Sequence, residues 1–278
     1  MYEVPPFKLS SRKPAVIRRE PLQKSRRVLV LPDIHLRPAC NGVPTGEDTD
    51  SLAAVMRYVS RNEWDEVVML GDLLDFDCIS THNKNKLRLE EDKRLQKDYD
   101  HANRFLDTWQ KATGKAKWTI LEGNHDERAE RYVDANPVLE GSIEVAGKLD
   151  FKARGIQWVR FWTKGEVYSI GNAHFGHGLY CNKYHAERHA SEYGVCFFYG
   201  HTHDVQEMPK SLRGADKTII GQSMGCLCRY NQPYMKGRPS KWQQAFGVFY
   251  FQPSGFFNHY VVRIFDHKFI SPEGEFCK

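Results

Sequence analysis

The sequence predicts an α/β fold, and three observations point that way. Short apolar runs alternate with longer amphipathic stretches in a β-α-β-α-β order over the first half of the chain. Each run leads into Asp, Asn or His, and in α/β sheets ligands gather at the carboxyl ends of strands. With 278 residues, 41% of them hydrophobic, the chain can bury a large core.

Residues 28–31 (Val-Leu-Val-Leu) run into Pro32, Asp33, Ile34 and His35, and residues 67–70 into Gly71 and Asp72. Residues 119–121 precede Glu122, Gly123, Asn124, His125 and Asp126. Two later runs, 167–170 and 195–199, lead toward His174 and His177 and into Gly200, His201, Thr202 and His203. Helices are expected over residues 51–62 and 90–111. In the second, Leu95, Tyr99, Ala102, Phe105, Leu106 and Trp109 recur at helical spacing, leaving a charged face for water. The last third is aromatic and β-favouring, with a hairpin expected from residues 246–251 and 256–265 around the turn at 252–255.

No apolar run is long enough to cross a membrane, and the first 27 residues lack the apolar stretch of a signal peptide, so a soluble, cytoplasmic protein is expected. The seven cysteines show no spacing suited to structural zinc and read as reduced thiols; Cys226 and Cys228 receive no role. The formal charge of +5 is concentrated in residues 1–27, where eight Lys/Arg stand against Glu3 and Glu20, leaving about −1 for the remainder. A disordered basic arm over residues 1–27 is expected ahead of one domain over 28–278. Such an arm is either solvated or a contact for a phosphate backbone.

Asp33-x-His35, Gly71-Asp72-x-x-Asp75, Gly123-Asn124-His125-Asp126, His177-Gly178 and Gly200-His201-x-His203 occur in that order across residues 28–205. Any one block is weak evidence, but the ordered set resembles the calcineurin-like metallophosphoesterase superfamily. The resemblance implies a four-layer α/β/β/α sandwich and two divalent metal ions, Mn²⁺ first and Fe, Zn²⁺ or Mg²⁺ as alternatives. Imidazole and oxygen donors without thiolate suit such ions, and a carboxylate can bridge two of them. By resemblance Asp72 is that bridge. Asp33, His35 and His203 complete one ion, and Asn124, His177 and His201 the other. The ion pair would make water nucleophilic for in-line attack on phosphorus. His125 would serve the leaving oxygen as general acid, oriented by Asp75.

Phosphoprotein phosphatases of the superfamily continue the second block with Arg-Gly and the third with Asn-His-Glu; here Phe76 and Asp77 follow the second block, and the third reads Asn-His-Asp. Asp33-Ile34-His35-Leu36 is closer to the nucleases and phosphodiesterases, so a phosphodiester substrate, DNA or another nucleic acid first, is expected. The alternatives are a phosphomonoesterase, a small-nucleotide or sugar-nucleotide phosphodiesterase, and a scaffold that kept the fold and lost the chemistry. His174 competes with His177 for the fourth block, and Gly178 selects His177 because backbone near a phosphate favours glycine. His185 and His189 stand four apart without matching a zinc-peptidase motif, and a surface or substrate-edge place is expected for both. Arg128, Lys236, Arg238 and Lys241 are candidate substrate contacts, the last three set among Tyr230, Tyr234 and Trp242.

Overall fold

The computed structural model describes residues 22–81, 92–212, 217–232 and 235–278. Two twisted sheets face each other and helices cover both outer faces. The first sheet has the order β11-β10-β1-β2-β3-β4, from β1 (Arg26–Leu31), β2 (Glu66–Met69), β3 (Lys117–Leu121), β4 (Ile156–Val159), β10 (Ala245–Phe251) and β11 (Phe257–Arg263). Strands β1 to β4 run parallel and the β10-β11 hairpin closes the sheet antiparallel. The second has the order β5-β6-β7-β9-β8, from β5 (Tyr168–Ile170), β6 (Ala173–Gly176), β7 (Cys196–Tyr199), β8 (Glu207–Leu212) and β9 (Lys217–Ser223). A two-stranded piece, β12 (Phe269–Ile270) and β13 (Phe276–Cys277), lies near the carboxyl end.

The apolar runs are unbroken because both faces of the first sheet are covered. In β1, Val28 and Val30 point into the layer between the sheets, where Val68, Leu70, Phe175, Phe198 and Phe249 meet them. Leu29 and Leu31 point the other way, onto α1 (Thr49–Val59) and α2 (Leu95–Thr113), among Val55, Tyr58, Ala102 and Leu106. Asp48 caps α1 by accepting from the Ser51 N–H at 2.9 Å. The short helices α3 (Arg128–Ala135), α4 (Val145–Lys148) and α5 (Phe161–Lys164) follow β3 and β4, and α6 (His185–Tyr193) covers the outer face of the second sheet. This is the α/β/β/α sandwich expected from the sequence.

Two expectations need correction. Residues 22–27 are not part of a disordered arm: Leu22 is buried, β1 begins at Arg26, and Lys24, Arg26 and Arg27 pair with Asp65, Glu66 and Glu273. Residues 1–21, the rest of the expected arm, lie outside the described residues, as do the first residues of the expected 90–111 helix. The strand feeding His177 is β6, with the expected 167–170 segment (β5) its antiparallel neighbour. Ala-His-Phe-Gly has no apolar periodicity to announce it.

Candidate metal centre

The loops after β1, β2, β3, β6 and β7 converge, bringing together all seven residues singled out as ligands. Asp33, His35, Asp72, His177 and His203 are buried, and Asn124 and His201 partly so. Backbone bonds zip the first two loops together: His35 N–H donates to Asp72 O at 2.9 Å and Leu36 N–H to Leu73 O at 2.8 Å. The loops turn sharply enough that Asp33 (φ 37°), His35 (53°), Asp72 (48°), His201 (68°) and His203 (59°) all adopt left-handed backbone. For residues with a Cβ this is costly, and such strain collects at functional sites.

Two donor groups share one carboxylate. Asp33, His35, Asp72 and His203 form one set and Asp72, His177 and His201 the other. The Asp72 Oδ2 atom lies 3.5 Å from His35 Nε2 and 3.4 Å from His177 Nε2, so a single oxygen faces both. Asn124 Oδ1 stands 3.0 Å from His177 Nε2, within the second set. His177 is fixed in orientation because its Nδ1–H donates to Leu70 O at 2.8 Å, leaving Nε2 for the cluster. His174, its competitor, is buried on β6 with Nδ1 3.2 Å from Cys196 O, away from both sets. The Gly178 argument needs a different reason: its φ is +104° and a Cβ there would sit 2.8 Å from the Tyr199 ring. At Gly123 a Cβ would come within 2.2 Å of Asp72 N and Oδ1, so the third loop can reach the bridge only with glycine.

The protonation pattern is that of a crowded donor cluster. Burial disfavours charge on every imidazole, yet Asp72 lifts His177 and Asp33 lifts His203, each to about 9. His201, with less carboxylate help and His177 beside it, falls to about 4, and burial and His125 also lower His35. The same histidines outweigh burial to hold Asp72 and Asp75 well below the ordinary carboxylate range. The donor set, imidazole with carboxylate and amide oxygen, fits two borderline divalent ions.

His125 stands beside both sets. Its backbone N–H donates to Asp72 Oδ1 at 2.8 Å, and its Nδ1 lies 2.9 Å from Asp75 Oδ1 and 3.0 Å from Asp75 O. Burial opposes its charging, but Asp72 and Asp75 raise its pKa overall. Arg128 reaches the opposite ring edge, with Nη2 3.1 Å from His125 Nε2 and Nη1 donating to Asp75 O at 2.7 Å. Lys236, Arg238 and Lys241 are exposed on the loop between β9 and β10, and among the described residues none belongs to a donor set. That loop reaches the cluster through Trp242, whose ring lies 4.2 Å from that of His203. Tyr234 lies outside the described residues.

Several participants escaped sequence reasoning. Buried Asp126 accepts from the N–H groups of Leu74 and Gly123 at 3.0 Å, tying the second loop to the third; burial and the Asp72 charge raise it to about 7. Arg37, also buried, donates to Asp75 Oδ2 at 3.1 Å. Glu122 accepts from Arg160 and Thr163, seating α5 so that Trp162 lies 5.3 Å from the His201 ring and 5.8 Å from that of His177. Cys228 places its sulfur 3.7 Å from His203 Nδ1 and forms a further donor group with His35 and His203, while burial pushes its thiol well above the ordinary range.

The calcineurin-like phosphoesterase model matches residues 26–205, the span that contains every candidate ligand. The chain belongs to the calcineurin-like phosphoesterase family. It is 26% identical over 236 residues to the Gene 54 proteins of Mycobacterium phages L5 and D29, covering 81% of this chain and 88% of each phage protein. Among solved structures it is similar to Chaetomium thermophilum Vps29, with a TM-score of 0.37 and 12% identity over 86% of this chain and 97% of that one. The chain carries a buried Asp/His cluster that could hold metal within the matched span, and no helix among its described residues is long and apolar enough to cross a membrane.

Proposed function

We propose that this calcineurin-like phosphoesterase is a dinuclear-metal phosphodiesterase acting on nucleic acid, DNA first. The observation that carries the reading is Asp72 Oδ2, set 3.5 and 3.4 Å from one imidazole of each donor set. Asp33, His35 and His203 would hold one divalent ion, Mn²⁺ first, and Asn124, His177 and His201 the other, with Asp72 between. When bound, the pair supplies a nucleophile from water near neutral pH and neutralises charge on the phosphoryl group.

The chain's own residues do the rest. Asp75 fixes the Nδ1 edge of His125, so any proton given to a leaving oxygen leaves from Nε2. Arg128 stands at that same edge, where its guanidinium can grip a phosphoryl oxygen once substrate displaces it from His125. Trp162 and Trp242, both partly exposed, stand on the His201 and His203 sides of the cluster, and Trp162 is placed where a base can stack. That placement favours a nucleic-acid diester over a small polar monoester. Seven cysteines outside any disulfide suit a reducing, cytoplasmic setting.

The test is a Mn²⁺-supplemented screen of the purified protein against bis-nitrophenyl phosphate, nitrophenyl phosphate, single- and double-stranded DNA and cyclic nucleotides. Turnover of the diester and DNA with little on the monoester is expected. Hydrolysis of the monoester alone would overturn the diester reading, and no turnover with two ions bound would indicate a fold that lost its chemistry.

A further inference from the structure

Helix α6 carries His-Ala-Glu-Arg-His, and neither histidine is on the surface or at a substrate edge as its polar sequence led us to expect: His185 is 4% exposed and His189 is fully buried. Buried imidazoles are costly without partners, so what they bond to is informative. His189 Nε2 lies 2.9 Å from the backbone N of Leu179, which can only donate. The Nδ1 atom therefore carries the proton, which it donates to His185 O at 2.7 Å. Its ring stacks on Tyr199 at 3.8 Å. His185 in turn places Nδ1 2.6 Å from Tyr199 OH and Nε2 3.0 Å from Asp204 Oδ2. The other oxygen of Asp204 accepts from Thr202 Oγ1 at 2.7 Å and Ser223 Oγ at 3.0 Å.

Both ends of this chain stop at ligand loops. Leu179 follows His177 with only Gly178 between, and Thr202 separates His201 from His203. One helical turn, contributing no donor of its own to either set, thus ties the loop after β6 to the loop after β7. We infer that His189, with His185 and Asp204, is a positioning device that sets the spacing of His177 and His201 and so the affinity of the ion site they share with Asp72. This rests on the dinuclear reading above.

Outer hydrogen bonds to a metal site typically change affinity by about 10–100-fold when removed. Calorimetric titration of Mn²⁺ into metal-free wild type should show two binding events. In His189→Leu, which leaves the Leu179 N–H unpaired, one event should weaken by about 10–100-fold while the other holds. His189→Gln, whose amide oxygen can take the place of Nε2, should recover most of the loss. Two unchanged events in His189→Leu, a glutamine variant no better than leucine, or equal weakening of both events would overturn the inference. Wild type that takes up no Mn²⁺ would instead overturn the reading of the whole centre, and this inference with it. If the leucine variant does not fold, ¹H–¹⁵N correlation of the histidine rings in wild type decides: His189 should carry its proton on Nδ1, and a proton on Nε2 would end the argument.

Discussion

If His125 is the proposed general acid, replacing it with alanine separates acid catalysis from metal holding, because its backbone meets Asp72 and its side chain meets Asp75. The contact that joins this residue to the carboxylate shared by the two donor sets is made by its backbone N–H, 2.8 Å from Asp72 Oδ1, and survives in alanine. Metal content should therefore stay at the wild-type level. The side chain is held at Nδ1 by Asp75, which leaves Nε2 as its only route for a proton. A positioned general acid contributes about 10²–10⁴-fold, or about 2.7–5.4 kcal/mol of barrier, when the leaving group is a basic alkoxide such as deoxyribose. A nitrophenolate departs without a proton, and its loss should stay within about tenfold. The assay compares kcat/KM for a dinucleotide and for bis-nitrophenyl phosphate, with metal measured on the same samples. Equal losses on both esters, or loss of an ion, would refute the assignment; the second result would point to the alternative donor group of His35, Asp75 and His125. Asp75→Asn cannot serve as a milder copy of this variant. Its carboxylate also faces His35 at 3.4 Å and Arg37 at 3.1 Å, so it should lower metal affinity as well as leaving-group selectivity.

Three further outcomes are expected. His177 and His203 have folded-state pKa values raised to about 9, so their protonated forms stabilise the metal-free fold fully below about 6.5, and that contribution is lost as pH rises through about 9. The melting temperature of metal-free protein should fall over that window while its increase on adding Mn²⁺ grows; a metal-free protein that becomes steadily more stable from pH 6.5 to 9 would contradict the pattern. Gly123→Ala would press a methyl within 2.2 Å of Asp72 N and Oδ1, and should cost about 1–3 kcal/mol in denaturant unfolding along with most of the Mn²⁺ binding; near-normal values for both would show that the loop can yield. Deleting residues 1–21 should flatten the salt dependence of DNA binding and leave turnover of a small diester intact, an unaltered slope removing the arm from the binding surface. Deleting residues 1–27 should in addition abolish the cooperative melt, because it removes Arg26 and Arg27 from β1, a strand paired on both sides.

All the candidate ligands but His177 were legible because each follows an apolar run, and a β-strand places the residue past its end at the sheet's rim whatever the rest of the fold does; His177, fed by the unannounced β6, was marked only by the order of the motifs. The charge of the leading segment was not legible in the same way. Counting cations cannot tell a solvated lysine from one that meets Asp65, and Lys24, Arg26 and Arg27 find partners about 40 to 250 positions away. Helix α6 misled for a related reason: its buried stripe is made of Ala and His instead of Leu, so no apolar periodicity marked which face was inside. Arg37, Asp126 and Asp204 also bond to Asp75, Leu74 and His185, which are neighbours only once the fold is formed, and local sequence carries no trace of those contacts.

What the sequence does contain, without displaying it, is a conflict. Asp33, His35, Asp72, His201 and His203 occupy backbone regions that glycine would enter freely, and each such placement can cost about 1–3 kcal/mol. Folding alone would favour glycine or asparagine at these turns, as it does at Gly71 (φ +96°) beside Asp72. Side chains kept at a cost to the backbone are kept for what they do, and these five make up most of the two sets that share Asp72. The strain and the donor geometry are independent observations, one of main-chain torsion and one of side-chain distance, and five of the twelve described non-glycine residues with left-handed backbone fall in the two donor sets.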